Sequence, residues 1–91
     1  MNDPYIRAAE KIIKEQENII GPLALEQARR VKDMEINDHS VKFTGDRVKA
    51  LNSLVEQYKR LFGQTSVEVC REAARSIFAK LPPQEVPSLL R

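Results

Sequence analysis

The sequence contains little of what small enzymes and secreted domains rely on. It has no tryptophan, one cysteine and one histidine in 91 residues. A single cysteine cannot form an intramolecular disulfide, which excludes the framework of a disulfide-rich secreted domain and favours a reducing, cytoplasmic location. The first residues, MNDPYIRAAE, also lack the basic start and apolar core of a signal peptide.

Long apolar runs are equally scarce. The longest covers seven residues, from Ile19 to Leu25, and it includes Gly21 and Pro22. A helix that spans a bilayer needs about 20 apolar residues. We therefore expect this chain to have no membrane partner.

Charge of one sign is absent as well, since 15 basic and 13 acidic residues give a net charge of only +2. The two signs alternate along the chain, which is typical of solvated helix faces rather than of a phosphate-binding tail. Four pairs have the helical spacing of local ion pairs: Glu10 and Lys14, Glu56 and Arg60, Glu68 and Arg71, and Glu72 and Arg75.

Helical periodicity dominates the first third of the chain. Asp3 and Pro4 have the chemistry of a helix start, and isoleucines and alanines then recur at helical spacing up to Ile20. Gly21 and Pro22 predict a break between this helix and a second one over LALEQARRVK, residues 23–32.

From residue 34 the apolar period changes to two. Met34 and Ile36 alternate with polar residues, as do Val41 and Phe43, and the turn formers of residues 37–40 lie between these runs. This pattern predicts one short antiparallel hairpin.

Two further helices follow the hairpin. The first begins after Asp46 and ends at Gly63, which has the position of a C-terminal cap. Thr65 and Glu68 have the spacing of a capping box for the last helix, which ends before Pro82. The sequence therefore predicts one α+β domain over residues 1–81, in the order α-α-β-β-α-α. Residues 82–91 are expected to form a tail or a docking turn.

Few residues are available for chemistry. We interpret His39 as an exposed turn residue and Cys70 as a small core side chain, because each lacks a partner at catalytic spacing. No zinc motif, EF-hand or phosphate-binding glycine loop is present. The sequence thus predicts a non-enzymatic protein with no catalytic residue, metal or cofactor.

Apolar residues in excess of a narrow helix stripe suggest a binding module. We expect a protein-protein interaction or adaptor module that binds a protein partner and forms a homodimer, in signalling or assembly. Its predicted interface comprises Ile19, Ile20, Pro22, Leu23, Leu54, Leu61 and Phe78. The alternative is that these residues only fill the core of a monomer.

A second alternative is a nucleic-acid-binding helix-turn-helix over residues 47–80. Its turn would be Phe62 to Thr65, with Arg71, Arg75 and Lys80 facing a groove. The nearby Glu68 and Glu72 would repel phosphates, which makes nucleic acid the less favoured partner.

The stretch before the hairpin, EKIIKEQENIIGPLALEQARRV, and the later run LNSLVEQYKRLFG together resemble a known small module. That α+β module, itself functionally uncharacterised, occurs at the ends of some bacterial signalling proteins. The resemblance covers about residues 10–75 and rests on the apolar joint from Ile20 to Ala24. It implies an accessory or adaptor role beside a kinase, receptor or similar regulator.

Overall fold

Helix α1, Pro4–Ile20, begins and ends where the sequence predicts. The computed structural model describes residues 3–91. The Asp3 carboxylate accepts a hydrogen bond of 2.9 Å from the backbone amide of Tyr5. It thereby satisfies one N–H group of the first turn that has no partner within the helix. Gly21 ends the helix with a φ of +66°, a conformation that glycine adopts without strain.

Helix α2, Leu23–Ala28, is shorter than predicted. The prediction extended it to residue 32, but the chain tightens after Ala28 through hydrogen bonds from the amides of Arg30 and Val31 to carbonyls three residues back. This turn directs Val31 into the core, where its side chain is 4% exposed.

The predicted hairpin consists of β1, Met34–Asn37, and β2, Ser40–Phe43, in antiparallel register. Met34 lies opposite Phe43, and Asp38 adopts a φ of +61° in the turn between the strands. Aspartate is one of the few residues besides glycine that tolerates this conformation.

A hydrogen bond to α1 fastens the hairpin to the helices. The amide of Val41 donates to the Glu10 carboxylate over 3.0 Å, and the Val41 side chain is buried in the core. Glu10 was predicted to pair with Lys14, but among residues 3–91 its carboxylate serves this edge of the hairpin instead. Satisfying a half-buried strand amide is worth more than an exposed ion pair on one helix.

Helices α3, Arg47–Phe62, and α4, Gln64–Phe78, are separated by Gly63 alone. Asp46 caps α3 by accepting from the amide of Lys49 over 3.0 Å, as its position predicts. The predicted capping box of α4 is wrong, since α4 starts directly after Gly63 and no side chain caps it.

Antiparallel packing of α1 against α4 forms the centre of the molecule. The side-chain amide nitrogen of Gln16, Nε2, is buried in this interface. It donates to the Ser66 carbonyl over 3.3 Å and to Cys70 Sγ over 3.5 Å. Toward the other end of the same helix pair, the rings of Tyr5 and Phe78 lie 5.7 Å apart. The largest fully buried apolar side chains of the core are Ile12, Leu51, Leu54, Val55, Tyr58 and Val67.

Residues 82–91 pack on α3 and α4 as two 3-10 turns, Pro83–Glu85 and Ser88–Leu90. Val86, Pro87 and Leu90 are buried in this contact. The amide of Leu89 donates to the Asn52 side chain over 3.0 Å. Residues 82–91 therefore contact the helices along much of their length.

The fold is therefore the α+β class and element order that the sequence predicts. Among residues 3–91, no helix combines the length and the apolar character that crossing a bilayer demands.

The Tyr58 hydroxyl, which is buried and donates to the Ala24 carbonyl over 2.8 Å, holds α3 against α2. We expect Tyr58→Phe to lower the free energy of unfolding by about 1–2 kcal/mol, measured by urea denaturation. Tyr5→Phe is the matched control, because its hydroxyl donates to the Glu85 carbonyl over 2.7 Å at a solvent-accessible position. Water replaces that bond, so its loss should cost at most about 0.5 kcal/mol. Equal effects of the two substitutions would contradict this assignment.

Candidate functional site

Three large apolar side chains of the described chain are exposed to solvent. Ile19 is 62% exposed, Leu61 47% and Phe62 41%. Ile19 and Leu61 belong to the interface predicted from the sequence, whereas Phe62 was missed. The sequence feature that could have indicated the exposure of Phe62 is its position next to Gly63, at the end of α3, where a side chain has few neighbours to cover it.

The helix arrangement brings these side chains to one end of the molecule. Because α1 and α4 are antiparallel, the last turn of α1 lies beside the first turn of α4, and Ile19 and Thr65 line the same groove. Leu61 and Phe62 immediately precede Gly63, and α4 begins at the next residue. We call this region the apolar end, and it comprises Ile19, Ile20, Pro22, Leu23, Leu61 and Phe62.

Two members of the predicted interface are absent from the apolar end. Leu54 is fully buried and Phe78 is 6% exposed, so both belong to the core and not to an exposed interface. Leu54 lies on the face of α3 that packs inward with Leu51, and Phe78 is covered by the Tyr5 ring. Helical periodicity placed both residues beside a stripe without showing how wide the buried face is.

A groove between α1 and α4 continues from the apolar end. Its volume is about 540 Å³, and the apolar part of its lining consists of Ile19, Val69 and Ala73. Charged side chains also line it: Lys11, Glu15, Glu68 and Glu72. Lys59 and Arg60, two exposed cations in the last turn of α3, directly precede Leu61 and Phe62 in the chain. An acidic groove and a basic helix terminus therefore both adjoin the apolar end.

Cys70 is a core residue, as predicted. Its side chain is fully buried, and burial raises the pKa of the thiol from its ordinary value of 9.0 to about 11, against a smaller opposing effect of the hydrogen bond from Gln16. A thiol with this pKa is protonated at neutral pH and is a poor nucleophile.

His39 lies in the hairpin turn, and its side chain is 61% exposed. Its Nε2 is 3.3 Å from the Glu17 carboxylate and its Nδ1 is 3.3 Å from that of Asp38. The exposed turn position is the one predicted. The contact to Glu17 was not predicted, because it joins the turn to a helix more than twenty residues earlier.

The helix-turn-helix alternative rested on the length of the turn around Gly63. In the structure one residue separates the two helices, whereas a helix-turn-helix uses a turn of about three or four residues. The two predicted ion pairs of α4 are present on its exposed side, Glu68 with Arg71 at 3.1 Å and Glu72 with Arg75 at 3.0 Å. These carboxylates lower the positive potential that phosphate contacts would need.

Within the described part of the chain, no cluster of three or more His, Cys, Asp or Glu side chains is placed to hold a metal ion. Comparison of the chain with models of known protein families, with curated proteins and with solved structures finds no match. The resemblance to the signalling-protein module therefore stays a prediction.

The raised pKa of Cys70 predicts how stability depends on pH. Between about pH 9 and 11 the unfolded thiol loses its proton while the folded thiol keeps it, so the folded state binds more protons and unfolding becomes easier as the pH rises. We expect the free energy of unfolding to fall by on the order of 2 kcal/mol across this range, measured by urea denaturation.

Cys70→Ala is the control for this measurement. The free energy of unfolding of this variant should stay level up to about pH 10. Above that pH the tyrosines of the unfolded chain ionise, whereas burial raises the pKa of Tyr58 in the folded chain, so stability then falls for this second reason. A wild-type profile that matches the Cys70→Ala profile would show that the thiol is not the cause.

Proposed function

We propose that this protein is a non-enzymatic interaction module that self-associates through the apolar end and serves as an adaptor in signalling or assembly. The observation that carries the proposal is that Ile19, Leu61 and Phe62, the exposed large apolar side chains of residues 3–91, all lie in the last turns of α1 and α3, at the end of the molecule where α4 begins. Single exposed apolar residues are common on protein surfaces, whereas contiguous patches mark interaction sites.

Ile20 of the apolar end packs against the core, but the folded chain does not bury Ile19, Leu61 or Phe62. Each helix already buries one face, and the inner side of the hairpin is covered. Removing the exposed apolar surface from water would contribute about 25 cal/mol per Å². A partner surface can supply this burial, and the chain's own packing does not.

Charge supports a second copy of the chain as that partner. The apolar end has acidic Glu15 and Glu68 on the side of the groove and basic Lys59 and Arg60 on the side of α3. A two-fold arrangement brings the same patch of each copy together and sets the basic side of one copy against the acidic side of the other. Opposite charges around an apolar centre favour this register over others.

Two features support the remaining parts of the proposal. The lone cysteine is a free, buried thiol, which suits a reducing cytoplasm and requires no disulfide. A dimer can hold two bound or attached proteins near each other, which is how an adaptor without catalytic groups acts. The signalling context rests on the sequence resemblance alone.

Self-association can be tested with lysine substitutions at the apolar end. We expect wild-type protein to dimerise with rising concentration in sedimentation equilibrium, and Leu61→Lys to weaken dimerisation at least about tenfold because a cation would be buried. Lysine is chosen because a cation near the C-terminal end of α3 is favourable to the helix.

Ser53→Lys provides the matched control, since it adds one positive charge at an exposed position of the same helix, remote from Gly63. It should dimerise like the wild type. Thermal unfolding of both variants shows whether the fold is intact. A wild-type chain that stays monomeric at high concentration would contradict the proposal.

A further inference from the structure

A second concave site lies at the opposite end of the α1–α4 pair from the apolar end. It is a cavity of about 320 Å³ between α4 and the docked C-terminal segment. Buried apolar side chains contribute to its lining, and three arginines surround it: Phe78, Val86 and Leu90, with Arg71, Arg75 and Arg91. No carboxylate side chain belongs to the described residues that line the cavity.

Backbone carbonyls hold two of the three guanidinium groups in place. Arg71 Nε donates to the Leu89 carbonyl over 3.2 Å. Arg91 Nε donates to the carbonyls of Pro83 and Val86 over 3.1 and 3.2 Å. These bonds occupy only the Nε atoms, and a guanidinium carries four further N–H donors on its two Nη atoms. Arg71 and Arg91 are thus held beside the cavity, and apart from the bond from Arg71 Nη1 to Glu68 their Nη donors have no partner among the described residues.

The neighbouring acids compensate these cations only in part. Glu68 pairs with Arg71 and Glu72 pairs with Arg75, but both pairs are solvent-exposed and such pairs are weak. Arg91 has no acidic partner among residues 3–91 within ion-pair distance. Three guanidinium groups thus face two carboxylate side chains, which leaves one positive charge, that of Arg91, without an acidic side-chain partner among the described residues.

We propose that this cavity binds a small carboxylate attached to an aliphatic body. A guanidinium matches the two oxygens of a carboxylate, and arginine forms paired hydrogen bonds with this group. The lining formed by Phe78, Val86 and Leu90 accepts the aliphatic part and offers nothing to a sugar or another strongly polar body. The site shares none of its lining residues with the apolar end, so it stands independently of the proposed self-association.

The experiment is an NMR titration of ¹⁵N-labelled protein with sodium octanoate below its micelle concentration. Amide shifts are expected at Phe78, Val86 and Leu90. Octanamide has the same body without the charge, and acetate has the charge without the body. Each should bind at least about tenfold more weakly than octanoate.

Arg75→Gln is the test variant because Arg75 makes no hydrogen bond to the C-terminal segment among the described residues. It should weaken octanoate binding about threefold to tenfold, as loss of one exposed charge-assisted contact does. Arg29→Gln removes an exposed arginine that follows α2 and belongs to neither site, so it should leave octanoate binding unchanged. Equal binding of octanoate and octanamide, no effect of Arg75→Gln, or shifts confined to Ile19, Leu61 and Phe62 would each overturn the proposal.

A further ligand distinguishes two sources of the same chemistry. Acetyl-leucyl-leucine carries its carboxylate on a branched peptide body, as the C-terminus of a polypeptide does. Tighter binding of this peptide than of octanoate, with the same dependence on Arg75, would assign the site to a chain terminus. The reverse order would assign it to a free aliphatic acid. If neither ligand shifts the cavity amides, the site is no carboxylate site.

Discussion

The arrangement of the molecule depends on how α1 lies against α4. The buried side-chain amide of Gln16 fixes the register of these two helices. Gln16 is 1% exposed and donates to the Ser66 carbonyl and to Cys70. A polar side chain in an apolar interface is tolerated only with its partners in place. Sliding one helix by a turn would leave this amide unsatisfied, whereas apolar contacts alone would allow such a shift. Gln16 therefore fixes the register that exposes Ile19 beside Thr65.

Local chemistry explains why most element boundaries could be predicted from the sequence. Asp3 and Asp46 accept from amides of the helix they precede, and Gly21 and Gly63 adopt positive φ where helices end. Each signal acts within a few residues, so it needs no knowledge of the tertiary structure. The end of α2 was missed because no glycine, proline or capping side chain marks it in the sequence; the chain tightens there only through hydrogen bonds from the amides of Arg30 and Val31 to carbonyls three residues back.

The candidate sites were harder to predict, for a different physical reason. Periodicity shows which helix face is apolar, but the exposure of a residue depends on which element covers it. Leu54 and Leu61 are seven residues apart on one helix, yet one is fully buried and the other is nearly half exposed. The cavity beside Arg71 could not be predicted from the sequence, because it forms only where residues 82–91 fold back on α4.

The apolar end and the arginine-lined cavity lie at opposite ends of the α1–α4 pair, and this separation limits how binding at one site can affect the other. A ligand changes self-association only if it binds the two states with different affinity. Because the two sites share no lining residue, direct contact cannot supply that difference. A change in the α1–α4 register is one way to transmit it, and the hydrogen bonds of Gln16 oppose such a change. On the two proposals made above, a carboxylate bound in the cavity would leave the apolar end available to a second copy.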